Sequence, residues 1–72
     1  MEVKSEIYAV VAKIEVAVGA EVAVDDVLMI LESMKMEVPV PAPMAGRVRS
    51  IAVAEGATVQ EDDLLVVLDP GG

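Results

Sequence analysis

The chain has 72 residues without cysteine or histidine, which excludes disulfides, the usual zinc sites and Cys/His or Ser/His catalytic pairs. Its net charge is −8 and it has one aromatic residue, which disfavours nucleic-acid binding. Charges interrupt every apolar stretch, so no membrane span is predicted, and the N-terminus does not resemble a signal peptide. We expect one small cytoplasmic domain over residues 1–72, without catalytic residues or a metal.

The first strand of a recognisable unit is predicted over residues 14–18. Ile14, Val16 and Val18 alternate with smaller or charged residues, and a period of two would bury all three branched side chains on one face. Just upstream, the apolar residues Val11 and Ile14 are three positions apart instead of two. This break in the alternation predicts a β-bulge.

Two kinds of turn follow this strand. Gly19 can adopt positive φ without steric cost, and the Asp25–Asp26 pair suits a turn because aspartate tolerates left-handed backbone and bonds its own main chain. A calcium loop would need a longer ladder of ligands with an interior glycine and a terminal glutamate. We therefore interpret the aspartates as structural.

Lys35 lies between two methionines, Met34 and Met36, at the predicted tip of a hairpin. It is an isolated cation in an otherwise acidic stretch. A two-residue hairpin turn is usually Asn-Gly or Asp-Gly, so a turn without glycine is unusual. From these residues alone, a solvated lysine without a function and a methionine pair that caps the core both remain possible.

The segment 38–43 alternates apolar residues with three prolines. Prolines at this spacing leave one side of a strand almost without N–H donors, which predicts the edge of a sheet. No stretch shows the spacing of an amphipathic helix.

The sequence then repeats itself at an offset of 37 positions, so that Gly19 falls on Gly56 and the break in alternation recurs between Val48 and Ile51. The three prolines fall on charged residues, which also protect an edge, and Lys35 falls on Gly72. Two copies suit a two-fold barrel, with the lysine turn and the termini at opposite ends. The identical pairs include Ile14/Ile51, Val16/Val53, Gly19/Gly56, Val22/Val59, Asp25/Asp62, Asp26/Asp63, Leu28/Leu65 and Leu31/Leu68. We predict an all-β, flattened barrel (a barrel-sandwich hybrid) of two antiparallel sheets with quasi-two-fold symmetry.

The motif Glu-Ser-Met-Lys-Met-Glu at 32–37, followed by Ala-Pro-Met-Ala-Gly-Arg-Val at 42–48, resembles the attachment motif of the biotinyl/lipoyl attachment domain family. The similarity covers essentially the whole chain and is strongest to small free-standing bacterial biotin carboxyl carrier proteins. It implies biotin covalently attached to Lys35, recognition of Met34 and Met36 by a biotin protein ligase, and a supporting hairpin context from Glu32, Ser33 and Glu37.

The resemblance also implies a function. Biotin on Lys35 would shuttle carboxylate between a biotin carboxylase and a carboxyltransferase, in an acyl-CoA carboxylase, and the domain would be a carrier subunit that is monomeric in isolation. Two alternatives are a lipoyl carrier, in which aspartate usually precedes the lysine and alanine follows it, and an unmodified interaction module. The methionine flanks favour biotin.

Overall fold

A computed structural model of the chain describes residues 1–70, and this part contains eight strands and no helix. Accordingly, nothing in residues 1–70 has the form of a helix able to cross a membrane. The strands are β1 (Glu2–Lys4), β2 (Ala9–Ile14), β3 (Glu21–Val22), β4 (Val27–Ser33), β5 (Met36–Pro41), β6 (Gly46–Ile51), β7 (Thr58–Val59) and β8 (Leu64–Pro70).

The strands form two four-stranded antiparallel sheets, in the orders β1-β8-β6-β3 and β5-β4-β2-β7. An offset of 37 residues maps β2, β3 and β4 onto β6, β7 and β8, and it maps β1 onto the end of β5. One sheet is therefore the repeat of the other, and the predicted all-β barrel with quasi-two-fold symmetry is confirmed. The predicted match of Lys35 with Gly72 lies outside the described residues.

The predicted bulges are present at equivalent places in the two halves. The register of β2 against β4 shifts between Val11 and Lys13, and the register of β6 against β8 shifts between Val48 and Ser50. An extra residue in one strand of an antiparallel pair bends that strand and increases its twist. The sheets can thus curl around a shared core while the apolar side chains on both sides of the bulge still point inward.

The largest buried side chains of the core lie mainly on β4 and β8, which are inner strands of the two sheets. The buried polar side chain of Ser5 is satisfied, because its hydroxyl donates to the Ile7 carbonyl at 2.7 Å. In residues 1–70, no buried side-chain nitrogen or oxygen lacks a hydrogen-bond partner. The interior of the described chain is therefore packed with apolar side chains, and its buried polar groups are satisfied. The buried core residues of β4 are Leu28, Met29 and Leu31, and those of β8 are Leu65, Val66 and Leu68.

The strand that was predicted to continue to Val18 ends at Ile14, so this part of the prediction is wrong. The Ala20 N–H donates to the Ala17 carbonyl at 3.0 Å and closes a four-residue turn. Gly19 takes the left-handed position of that turn, with a φ of 92°. Val18 precedes it in the turn and is 64% exposed, because the chain has already left the sheet.

The aspartate pairs form turns, as predicted. The first member of each pair is left-handed, with φ of 71° at Asp25 and 73° at Asp62. The second member accepts a hydrogen bond from the backbone N–H three residues earlier, which closes the turn. Within residues 1–70, no group of three or more His, Cys, Asp or Glu side chains could hold a metal ion. The two hydrogen bonds that close the aspartate turns run from the Ala23 N–H to the Asp26 carboxylate and from the Gln60 N–H to the Asp63 carboxylate, each at 2.8 Å.

Both predicted edges are also found, since β5 ends one sheet and β1 ends the other. The prolines of β5, Pro39 and Pro41, are exposed and have no N–H to offer to an incoming strand. The exposed residues of β1 are Glu2 and Lys4, which carry charges along that edge. The two halves protect equivalent edges by different chemistry.

The backbones of β6 and β8 approach closely at Gly46, because a Cβ at this position would lie well inside van der Waals contact with the Asp69 carbonyl. We expect Gly46→Ala to lower the free energy of unfolding by about 2 kcal/mol or more. Urea unfolding should show a lower midpoint at an unchanged m value. Ser50→Ala, at an exposed position of the same strand, is the control and should cost less than about 0.5 kcal/mol. Equal midpoints for the two variants would contradict the close approach.

Candidate functional site

The segment 32–37 forms the end of the hairpin between β4 and β5. The two strands are joined by a two-residue turn, the shortest common hairpin connection. The pairing register of this hairpin is set at its core end, where the buried Leu31 pairs with the half-buried Val38. The structure thus brings all six predicted residues together: Met34 and Lys35 form the turn, Ser33 pairs with Met36, and Glu32 pairs with Glu37.

The backbone of the turn is left-handed at both of its residues. Met34 has a φ of 53° and Lys35 a φ of 65°, as a type I′ turn requires. This turn matches the twist of the flanking strands, but a left-handed conformation costs an ordinary L-residue about 1–2 kcal/mol. The sequence did not predict this conformation for these two residues. The paired strands hold a strained turn, a feature that is concentrated at functional sites.

The side chains at the tip point away from the protein. Met34 is 92% exposed, Met36 is 67% exposed, and Lys35 is exposed as well. None of the three belongs to the hydrophobic core. The methionines therefore do not cap the core, which removes one of the two simple readings of this motif. They flank Lys35 in the chain and add accessible apolar surface to the tip.

The amine of Lys35 forms no ion pair with any residue from 1 to 70, although the described chain holds four such pairs elsewhere. Glu32 and Glu37 lie directly opposite each other on adjacent strands, and both are exposed. Like charges in this arrangement repel and slightly weaken a sheet. The hairpin consequently presents a primary amine above an acidic pair, and it offers no hydroxyl, thiol or imidazole as a nucleophile beside that amine except the half-buried Ser33 hydroxyl.

A groove of about 420 Å³ lies between the edge strands β1 and β5. Its lining includes the apolar side chains of Val3, Leu31, Val38 and Val40, but none of residues 34–36. The lysine is outside this groove and stands on a protruding turn. Such a position suits a group that must be reached by other proteins, whereas a catalytic site is usually a concave pocket.

The chain is similar in sequence to a family model and to one curated relative. A family profile for biotin/lipoyl domains, described as "Biotin-requiring enzyme", matches residues 2–68. A curated relative, the "Biotinylated protein TB7.3 homolog" of Mycobacterium leprae (strain TN), is 45% identical over 51 residues. That alignment covers 71% of this chain and 72% of the relative.

Two solved structures with a similar fold are carboxylases. The urea carboxylase of Kluyveromyces lactis matches 96% of this chain with a TM-score of 0.90 and 33% identity. A single-chain, multi-domain long-chain acyl-CoA carboxylase matches 100% of this chain with a TM-score of 0.93 and 26% identity. The chain corresponds to only 6% and 7% of these two large proteins.

Met34 occupies a position whose backbone favours asparagine or glycine. We expect Met34→Asn to raise the free energy of unfolding by about 0.5–1 kcal/mol, because asparagine adopts the left-handed region at lower cost. Met36→Asn is the matched control, since Met36 is also exposed but is not among the left-handed residues. It should give no gain in a urea titration. Destabilisation by Met34→Asn would show that the turn is not strained at this residue.

Proposed function

The chain belongs to the biotin/lipoyl attachment family, and on this premise we propose that it is a biotin carboxyl carrier with biotin on Lys35. Its cofactor is covalently attached biotin, in agreement with the family profile and the biotinylated relative. The observation that carries the assignment to Lys35 is its position at the tip of the β4–β5 hairpin. There an exposed amine, without an ion pair in residues 1–70, lies between two exposed methionines.

The residues at the tip fit a group that is joined through an amide bond. Acylation of the lysine amine removes its positive charge, so it is least costly where that charge holds no other contact in place. A left-handed turn between two paired strands also fixes the backbone from which a long arm extends. Neither requirement involves a buried pocket, and the tip provides none.

The remaining residues of the motif have supporting roles in this proposal. Met34 and Met36 give the biotin protein ligase an apolar surface on both sides of the amine. Glu32, Ser33 and Glu37 complete the two cross-strand pairs that hold the turn. When attached, biotin supplies a ring nitrogen that carries a carboxyl group between two enzyme sites. The protein itself positions the arm and contributes no acid, base or nucleophile to the transfer.

We further propose that the partners are a biotin carboxylase and a carboxyltransferase of an acyl-CoA carboxylase, served by this chain as a monomeric, cytoplasmic carrier subunit. The structural match to a long-chain acyl-CoA carboxylase, which covers the whole chain, supports this choice. The similar urea carboxylase supports the broader class of biotin-dependent carboxylases. In each of those proteins the matching part is a small fraction of a much longer chain.

Coexpression with a biotin protein ligase tests the attachment site. The intact mass should increase by one biotin, and an avidin blot should detect the protein. Lys35→Arg should abolish both signals, because a guanidinium group retains the charge but cannot form the amide. Lys13→Arg is the matched control at an exposed lysine that is paired with Glu15 at 3.4 Å, and it should be biotinylated as fully as the wild type.

Other outcomes of this experiment have distinct meanings. An unchanged mass with a ligase that modifies a reference acceptor would refute the carrier proposal. A mass increase corresponding to lipoate would assign the chain to the lipoyl carriers instead. Biotinylation of the Lys35→Arg variant would place the attachment site at another amine.

A further inference from the structure

The five methionines of the chain differ widely in exposure. Met34 and Met36 are 92% and 67% exposed, whereas Met29 is fully buried and Met44 is partly buried against the core. Met1, at the N-terminus, is 56% exposed. The two most accessible thioethers of the protein therefore lie on either side of Lys35.

The fold does not require a thioether at either tip position. Met34 occupies a left-handed turn position that asparagine or glycine would fill at lower cost, and Met36 begins the edge strand β5. Neither side chain is part of the hydrophobic core. A change in their polarity consequently leaves the fold intact and acts only on what approaches the tip.

We propose that Met34 and Met36 form a reversible oxidation site that controls the attachment of biotin to Lys35, an inference that rests on the proposed carrier function. A peroxide transfers one oxygen atom to the sulfur: an S–O bond forms, the O–O bond breaks, the sulfur loses two electrons, and the peroxide is reduced to water or an alcohol. A methionine sulfoxide reductase reverses the step with two electrons from thiols, and the oxygen leaves as water.

Oxidation changes the surface that the ligase must recognise. A sulfoxide is polar and chiral, and it replaces a flexible apolar group. Burying it against a surface that fits a thioether leaves its oxygen without a hydrogen-bond donor. We expect the sulfoxide form to be biotinylated about tenfold more slowly, comparable with the discrimination that apolar pockets show against altered side chains.

The exposures also predict the order of oxidation within the folded protein. Met34 is the most exposed and should react first, followed by Met36, which is paired with Ser33 across the hairpin. Met1, which is 56% exposed, should react next, Met44 more slowly because it packs against the core, and Met29 only when the protein unfolds. Peptide mapping by mass spectrometry after timed exposure to hydrogen peroxide measures this order.

The decisive experiment measures biotin incorporation into the unbiotinylated chain by purified biotin protein ligase, before and after limited peroxide treatment. The oxidised protein should lose about tenfold in initial rate, and treatment with methionine sulfoxide reductases A and B should restore it. A Met34→Leu/Met36→Leu variant should have the same rate before and after peroxide, whatever that rate is. Met44→Leu, a change of similar volume outside the tip, should remain as sensitive as the wild type.

The outcomes separate this inference from the function on which it rests. If the reduced wild type accepts no biotin, the carrier proposal fails. If it accepts biotin and the form with both tip sulfoxides is loaded at the same rate, the carrier proposal stands and the oxidation site is refuted. Loss of rate in the double leucine variant on peroxide treatment would also refute it, because the sensitive group would then lie elsewhere.

Discussion

The structure depends on the packing of β4 and β8, one inner strand of each sheet, in one hydrophobic core. Leu28, Met29 and Leu31 are buried on β4, and the strand continues from them directly into the lysine turn. A turn with two left-handed L-residues is costly by itself and would not persist in an isolated hairpin. The buried strand supplies the stability that holds it. The support of Lys35 and the core of the barrel are thus continuous along one strand.

Much of this architecture could be predicted because the two halves share their apolar positions. The repeat indicated two equivalent sheets, the break before Ile14 indicated the bulge, and the prolines indicated the edge. The prediction failed at Val18, where an apolar residue in a strand-like pattern belongs to a turn. The second half contained a useful signal, because it has the charged Glu55 at the equivalent position, where burial would be unfavourable.

The geometry of the site was only partly predictable. The position of Lys35 at a hairpin tip followed from the flanking apolar segments, but its proposed role came from a family resemblance. The left-handed backbone of Met34 and Lys35 did not follow from their own preferences, which oppose it. It results from a two-residue connection between strands whose register is set by the core. The residues of the turn alone therefore could not predict its conformation, because that conformation depends on strand pairing and packing elsewhere in the chain.

The protected edges of β1 and β5 bear on how the proposed carrier would meet its partner enzymes. An exposed edge can pair with a strand from another protein. This pairing uses backbone hydrogen bonds, so it depends little on side-chain identity and dissociates slowly when many residues are paired. Proline on the β5 edge and charge on the β1 edge disfavour this mode of adhesion at those two edges. Recognition at these two edges is then left to side-chain contacts. The barrel is thereby suited to brief visits and to rapid exchange between partners.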